Sequence, residues 1–271
     1  MANKPTEIIQ IAINTGTYRS KHNTGNYLVR GFMAGLFIAV GAALCTVCST
    51  GIATPGIQQL VAGAVFPVGL IAIVLTGMAL FTGDTMLVTF AALNKKTTWT
   101  RLLYVWGIVY VANFIGSIFW AYLMSTGPFS KGGSPELTAF GVRAIAIAEA
   151  KVNGYVANGM AGWWSAFMKG IGCNLLVCIA ILLAASSKNM IGKFFGIWFP
   201  IMAFVSSGFE HSVANMYFIP AGIFCGANVT WANAFLYNFI PVTLGNIVGG
   251  AVFIAGVYQY CYHKEMEPIQ S

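Results

Sequence analysis

The chain of 271 residues is rich in apolar residues and carries few charges. Charged residues make up 8% of it, against about 25% in a typical soluble domain, and 58% of its residues are hydrophobic. The 14 Lys and Arg outnumber the 7 Asp and Glu, which by itself would be compatible with a nucleic-acid partner. However, the basic residues form no stripe and stand between long uncharged stretches. Composition therefore excludes an ordinary soluble domain and a nucleic-acid partner, and it predicts a polytopic membrane protein.

The uncharged stretches divide the chain into membrane spans. No Asp, Glu, Lys or Arg occurs between Arg30 and Asp84, an interval too long for one bilayer crossing of about 20 residues. The turn signal Thr54-Pro55-Gly56 divides this interval in two. The region from Phe194 to Tyr262 is also long enough to cross twice. The sequence predicts six spans, at residues 29–52, 58–93, 101–127, 163–186, 193–224 and 235–262.

The segments outside these spans complete a single transmembrane domain that covers residues 1–271. Residues 1–28 form the N-terminal segment, and the first 26 of them are polar and lack the apolar core of a signal peptide. Residues 5–15 form either a short amphipathic helix at the membrane surface or a flexible terminus. The connection at residues 128–162 is too long for an idle loop. Its weakly apolar part, residues 137–150, predicts a short helix over the outer face, and residues 263–271 form a tail.

The distribution of basic residues predicts the orientation of the chain. Six crossings place both termini on one side of the membrane, and most Lys and Arg flank the spans on that side. The opposite side carries only Lys131, Arg143 and Lys151. By the positive-inside rule, both termini are predicted to be cytoplasmic. We therefore expect a multi-pass protein of the cell (inner) membrane.

The second and fifth spans carry ionisable or turn-prone residues at mid-membrane depth, where a charge costs at least ~2.5 kcal/mol. The interruption covers residues 80–85 in the second span and residues 206–215 in the fifth. We expect glycine to break each helix, and Asp84, Ser or Asn to cap the half-helix that follows. Irregular backbone at this depth is tolerated only where it is buried in protein or lines a cavity.

The two halves of the chain resemble each other in order. Three pairs of positions match at similar offsets: Arg30-Gly31 with Lys169-Gly170, Phe81 with Phe209, and the Asn113 segment with the Asn246 segment. They predict a duplication in which residues 29–127 form the first repeat and residues 163–262 the second. Because each repeat crosses three times, the copies are inserted in opposite orientations. An inverted repeat with a broken helix in each half indicates a substrate path near the midplane.

Two readings of the small and ionisable residues are open. Close helix packing explains Gly116, Gly249 and Gly250 without any substrate path. Packing does not explain Glu210 and His211, because a pair of ionisable groups deep in a span marks a functional site by default. The sequence shows no metal cluster, no paired acid and base and no cofactor motif, so neither an enzyme nor a bound cofactor is predicted.

Four segments resemble the formate/nitrite transporter family, at residues 80–83, 174–178, 208–216 and 245–250. The likeness extends from about residue 5 to residue 262, and the Phe209-Glu210-His211 segment is the most specific part of it. The resemblance implies an aquaporin-like, all-helical fold and a homopentamer with one pore inside each subunit. It further implies a central His that faces the broken second helix between two apolar constrictions.

Carried over position by position, the resemblance assigns pore residues. His211 matches the central His, and Thr82 matches the hydroxyl opposite it. The remaining matches are Phe66, Leu70 and Phe204 for the outer constriction, Leu80, Phe81 and Val177 for the inner constriction, Asn174 for the pore Asn, and Lys151 for a Lys beside the outer vestibule. Glu210 and Asn215 at the second break complete the candidate set, and Asp84 departs from the family pattern.

Physical chemistry predicts how such a pore carries an anion. A bare carboxylate in an apolar constriction is prohibitively costly, whereas the neutral acid avoids most of that cost. Lys151, the half-helix N-termini and the positive charge of the chain attract the anion, and desolvation between apolar side chains favours its protonated form. His211 is the expected proton donor or hydrogen-bond relay. Thr82 donates a hydrogen bond to a substrate oxygen, and Glu210 holds the broken backbone or a neighbouring amide.

The predicted function is passive or proton-coupled transport of a small monovalent anion across the lipid bilayer, with formate as the leading substrate. Nitrite and hydrosulfide are alternatives: the Tyr217–Gly222 segment is closer to the formate branch of the family, whereas residues 81–86 are similar to the nitrite branch. A channel for neutral solutes such as glycerol or water is the more distant alternative. The paired Asn-Pro-Ala motifs that such a channel uses are absent from the sequence.

Overall fold

The computed structural model describes residues 2–266, and these residues fold into helices with no β-sheet among them. A short helix precedes the first span, and the first repeat follows with a second span that is divided into three helices. These elements are α1 (Pro5–Ser20), α2 (Thr24–Ser49), α3 (Pro55–Val65), α4 (Val68–Thr76), α5 (Phe81–Leu93) and α6 (Trp99–Thr126).

The second half of the chain repeats this order after a connecting helix. Its elements are α7 (Ala139–Val156), α8 (Gly159–Ser186), α9 (Met190–Ser206), α10 (Ser212–Phe224), α11 (Trp231–Ala234), α12 (Ile240–Ile247) and α13 (Val257–Met266). Two π-helical segments, Phe235–Phe239 and Val248–Gly256, join α11, α12 and α13 into the sixth span. Residues 267–271 of the predicted tail lie outside the described residues.

The helices confirm the six predicted crossings and the breaks in the second and fifth. Five helical stretches are long and apolar enough to cross a membrane: Thr24–Ser49, Pro55–Thr76, Trp99–Thr126, Gly159–Ser186 and Trp231–Glu265. The fifth crossing consists of two shorter apolar helices, α9 and α10. Side-chain caps define several of the starts, because Asn23 accepts the N–H of Asn26 and Thr98 accepts that of Arg101.

Small residues allow the spans of each repeat to pack closely. A Cβ on Gly116 would collide with the backbone of Phe32 in α2, and one on Gly249 would collide with the backbone of Ile171 in α8. Gly250 faces the Thr85 hydroxyl just as tightly. These three glycines therefore serve helix contact, as the packing interpretation predicts.

The first break lies earlier in the chain than predicted. The α4 helix ends at Gly77, which has a φ of +77°, and α5 begins at Phe81 after the extended residue Leu80. Asp84 does not cap α5: it lies inside the first turn, where its N–H bonds the Leu80 carbonyl at 2.9 Å. The predicted capping role of Asp84 is therefore wrong, because its side chain bonds none of the first amides of α5, and the first of them, the Phe81 N–H, is bonded by Asn113 of α6.

The second break has the same backbone design but a different cap. Gly208, with a φ of +72°, follows the end of α9, and α10 begins at Ser212. The capping side chain is neither Ser nor Asn: the His211 ring accepts the N–H of Ala214 at 3.0 Å. Both breaks thus combine a left-handed glycine with an extended residue directly before the following helix.

Two helices lie outside the bundle, on opposite faces. The α1 helix packs on α5 and on the end of α8, with Gly16 against the Leu87 carbonyl, and α7 packs on α10 and on the start of α8. The helical alternative for residues 5–15 is confirmed, and the helix continues to Ser20. The predicted helix at 137–150 is confirmed and ends later, at Val156. We refer below to the α1 face and the α7 face.

Candidate pore site

The two breaks meet through one hydrogen bond at the centre of the bundle. Thr82 Oγ1 lies 2.9 Å from His211 Nε2, and both side chains are buried. Thr82 is in the first turn of α5, whereas His211 directly precedes α10. Both half-helix N-termini, which carry partial positive charge, therefore approach the same point. This contact joins the two residues that the sequence places at the pore centre.

The hydrogen bonds of His211 determine its tautomer. Nδ1 accepts the N–H of Ala214, so this nitrogen carries no proton. The proton of the neutral ring is therefore on Nε2, which donates to Thr82 Oγ1. Phe204 stacks on the imidazole with a centroid distance of 5.8 Å. A fully protonated ring would lose the bond to Ala214, because Nδ1 would then also be a donor.

Asn113 of α6 binds the backbone on both sides of the first break. Its Nδ2 donates to the Gly31 carbonyl at 2.7 Å and to the Ala79 carbonyl at 3.0 Å. Its Oδ1 accepts the N–H of Phe81, the first residue of α5, at 2.9 Å. One buried amide thereby satisfies two backbone groups of the break, the Ala79 carbonyl and the Phe81 N–H, and ties them to the Gly31 carbonyl inside α2.

Asn246 of α12 does the same at the second break. Its Nδ2 donates to the carbonyls of Gly170 at 2.8 Å and Glu210 at 3.0 Å, and its Oδ1 accepts the N–H of Ser212 at 2.9 Å. We call Asn113 and Asn246 the two Asn clamps. Their contacts pair Gly31 with Gly170, as predicted, but pair the first residue of α5 with Ser212, so the predicted pairing of Phe81 with Phe209 is wrong.

Glu210 lies beside the second break in a fully paired environment. Its Oε2 accepts from Lys151 Nζ and from Asn215 Nδ2, each at 2.7 Å, and its Oε1 accepts from the Tyr155 hydroxyl at 2.9 Å. Asn238 bonds both the Asn215 side chain and the Lys151 carbonyl. The structure thus brings together three residues that the sequence singles out, and it adds Tyr155 and Asn238, for which sequence reasoning had no signal.

Asp84 lies beside the first break and is paired from α1. Arg19 Nη1 contacts Asp84 Oδ1 at 2.6 Å, and Arg19 Nη2 donates to the Met78 carbonyl at 3.0 Å. Trp106 donates to the backbone carbonyl of Asp84 at 3.1 Å. Oδ2 of Asp84 is buried without a partner among the described residues. Arg19 therefore balances the charge of the residue that departs from the family pattern.

Asn174 of α8 is buried and ties its helix to α5 and α12. Its Nδ2 lies 3.2 Å from the Thr82 carbonyl, 2.8 Å from Thr85 Oγ1 and 2.6 Å from the Asn246 carbonyl. The Asn174 Nδ2 group therefore has its hydrogen-bond partners within the protein. The geometry places Asn174 behind the central pair, on the α8 side of it.

A cavity opens toward each face of the molecule. The α7-side vestibule has a volume of about 670 Å³, and Phe66, Phe204, His211, Glu210 and Lys151 are among the residues that line it. Phe66 and Phe204 contact each other edge to face, with centroids 5.6 Å apart. The central His211 therefore lies at the floor of this vestibule, next to two of the residues assigned to the outer constriction.

The α1-side cavity is smaller, at about 290 Å³, and is bordered by Leu70 and Leu80. Leu70 borders this cavity, whereas Phe66 and Phe204 border the vestibule, and the grouping of the three as one constriction stays a prediction. Phe81 and Val177 are buried and border neither cavity; Phe81 packs on Tyr110 with a centroid distance of 5.0 Å. Apolar side chains and the central pair separate the two cavities.

These features define a class of membrane protein: an inverted-repeat transport protein with its site between two broken helices. The sequence profile described as formate/nitrite transporter matches residues 6–260. A probable formate transporter from Methanothermobacter thermautotrophicus is 44% identical over 258 residues, which cover 91% of this chain and 92% of the relative. Formate channel FocA of Haemophilus influenzae is 36% identical over 275 residues, with coverages of 94% and 93%.

Solved structures agree with the sequence matches. An FNT family ion channel superposes with a TM-score of 0.81 at 30% identity, covering 94% of this chain and 99% of that structure. A structure described as a pentameric formate channel with formate bound gives a TM-score of 0.74 at 31% identity, with coverages of 89% and 98%. The chain belongs to the formate/nitrite transporter family. It is a multi-pass membrane protein with the predicted aquaporin-like fold, and a transport protein rather than an enzyme.

Proposed function

We propose that this chain conducts formate through a pore that runs from the α7-side vestibule past the Thr82–His211 contact to the α1-side cavity. The observation that carries the proposal is the buried Thr82–His211 hydrogen bond at the floor of a vestibule lined by cationic residues. Relatives named as formate channels or transporters favour formate over nitrite and hydrosulfide. In this proposal Phe66, Leu70 and Phe204 form the outer constriction, and Leu80, Phe81 and Val177 the inner one.

The free energy of a desolvated anion sets the central problem. An acid with a pKa near 4 is about 0.1% neutral at pH 7, yet the neutral form avoids most of the desolvation cost between apolar rings. An anion that loses water beside Phe66 and Phe204 gains basicity and takes up a proton. Transport of the neutral acid, followed by loss of the proton on the other side, moves one anion and one proton together.

His211 serves this step as a hydrogen-bond relay rather than as the proton source. A doubly protonated ring would give up the bond between Nδ1 and Ala214 N–H, and it would place a charge at mid-membrane depth. The neutral ring donates Nε2–H to Thr82 Oγ1, which leaves the Thr82 hydroxyl proton free to point at a substrate oxygen. The proton that neutralises the anion then comes from water in the vestibule.

The remaining site residues hold the geometry. Glu210 fixes Lys151 and Asn215 at the vestibule floor, and Asn174 ties α8 to the first turn of α5. Lys151 places a positive charge near the anion, although Glu210 compensates much of it at 2.7 Å. These roles explain why an otherwise apolar bundle has polar side chains at its centre.

The orientation and assembly are part of the same proposal. Most Lys and Arg that flank the spans lie on the α1 face, so we infer that this face and both termini are cytoplasmic by the positive-inside rule. The membrane is the cell (inner) membrane. The chain is one channel domain that assembles as a homopentamer, by analogy with the solved relative described as pentameric. Cross-linking in native membranes tests the assembly.

Flux measurements in proteoliposomes test the function. Formate, nitrite and hydrosulfide are compared side by side with empty liposomes as the control. We expect formate to be carried fastest and its influx to alkalinise the outer medium. A faster flux of nitrite or hydrosulfide would reassign the substrate within the family, and flux of none of the three would contradict the proposed function.

A further inference from the structure

The α7-side vestibule holds more positive charge than the central step uses. Three cationic side chains line it, Arg143, Lys151 and Lys169, against the single carboxylate of Glu210. Two of these cations converge on that carboxylate. Lys151 bonds it at 2.7 Å, and Lys169 reaches the Tyr155 hydroxyl at 3.3 Å, which itself donates to Glu210. Only Arg143 is left out of the network.

Arg143 has no hydrogen bond or ion pair with any of residues 2–266, and its Nε is buried without a partner. Glu149, the acid of α7, does not compensate it, because Glu149 accepts the N–H of Asn228 at 3.0 Å outside the vestibule lining. Cys45 and Ser49 of α2, which also border the vestibule, supply no charge. The Arg143 guanidinium is therefore an uncompensated cation on the wall of a water-accessible cavity.

The spacing of α7 residues places Arg143 two turns away from Lys151 along the vestibule wall. Arg143, Ile147, Lys151 and Tyr155 recur every four residues and all border the vestibule, so they form one stripe of the helix. Two turns, about 12 Å, separate Arg143 from Lys151. Arg143 and Lys151 therefore offer an anion two separate positions along the vestibule wall.

The geometry points to Arg143 as an entry site that binds a planar monovalent anion with two oxygen atoms before it reaches Thr82 and His211. This inference rests on the proposed function and adds a second binding position to it. A guanidinium donates two parallel N–H groups to such an anion, as a lysine ammonium does not. Formate and nitrite fit this fork, whereas hydrosulfide, with a single heavy atom, uses only the charge.

The test measures the concentration dependence of influx from the α7 side in oriented vesicles. For Arg143→Gln we expect the half-saturating formate concentration to rise about threefold to tenfold, with maximal flux unchanged. Higher ionic strength should narrow the difference from the wild type, because salt screens the lost charge. Arg143→Lys should restore hydrosulfide influx fully but formate influx only in part. Lys131→Gln is the matched control, since Lys131 is exposed on the same face and pairs with Glu136.

Three results would overturn the inference while the wild type still carries formate. The first is an unchanged half-saturating concentration in Arg143→Gln. The second is an equal rise in the half-saturating concentration in Lys131→Gln, which would show that the overall charge of this face, and not a binding site at Arg143, attracts the anion. The third is full recovery of formate influx by Arg143→Lys, which would show that the site does not recognise the two oxygen atoms of the anion. A wild type that carries no anion would instead contradict the proposed function, and this inference with it.

Discussion

The two breaks of the pore share their backbone support and differ in their charged groups. In each repeat a glycine with positive φ ends one half-helix, and a buried Asn binds two carbonyls and the first N–H of the next. The carboxylate beside the second break, Glu210, receives three donors. The carboxylate beside the first break, Asp84, receives one cation and has a buried oxygen without a described partner.

The backbone support of the two breaks is therefore the same in both repeats, whereas the side chains at the pore centre differ between them. The two Asn clamps make equivalent backbone contacts in both repeats, so this part of the structure is duplicated. The side chains that meet at the centre are different: the first break supplies the Thr82 hydroxyl and the second the His211 imidazole. Each carboxylate also draws its cation from a helix outside the bundle, Arg19 of α1 or Lys151 of α7.

Removal of either Asn clamp should cause the largest loss of stability. Asn113→Ala and Asn246→Ala each leave two backbone groups of a break unpaired, one carbonyl and the first N–H of the following half-helix, at about 1–3 kcal/mol per group. We expect similar, large decreases in Tm in detergent for the two variants. Asn14→Ala, at an exposed position of α1, is the control and should leave Tm unchanged. A large decrease in Tm for only one of the two variants would contradict the structural equivalence of the two repeats.

Neutralising the two carboxylates should lower the free energy of unfolding by different amounts. Glu210→Gln leaves Lys151 without its counter-charge and disturbs two further hydrogen bonds, so we expect a loss of about 3 kcal/mol. Asp84→Asn should cost less, because Asp84 accepts one side-chain bond. Chemical unfolding monitored by tryptophan fluorescence measures both, and Glu210→Gln combined with Lys151→Gln should recover part of the loss. A larger effect for Asp84→Asn would reverse the ranking.

Thr82 offers a smaller and more specific change. Thr82→Val keeps the shape of the side chain and removes the hydroxyl between His211 and the substrate, so formate flux should fall about tenfold, with a smaller decrease in Tm than either Asn clamp variant because one buried donor, His211 Nε2–H, loses its acceptor. Thr82→Ser keeps the hydroxyl and should retain most of the flux. The comparison is made in proteoliposomes at equal protein content. If Thr82→Val and Thr82→Ser behaved alike, the hydroxyl would have no role in transport.

Much of this organisation could be read from particular residues. The charge-free intervals predicted the six spans, and Glu210 with His211 predicted the centre, because ionisable groups are costly at that depth. The exact break near Gly77 was not predictable: Gly83 and Asp84 looked equally able to interrupt and cap a helix. Its true support, Asn113, comes from another span, and the Arg19, Tyr155 and Asn238 contacts likewise join residues far apart in sequence.

The most direct test of the account is formate flux as a function of pH for the wild type and His211→Asn. The Asn oxygen can replace Nδ1 as the cap of α10, so Tm should change little, while the Nε2–H donated to Thr82 is lost. We predict that wild-type flux follows the fraction of protonated substrate with no separate transition near pH 6.5, the ordinary His pKa. His211→Asn should lose at least about tenfold of this flux. Unchanged pH-dependent flux in His211→Asn would contradict the central role of the Thr82–His211 pair.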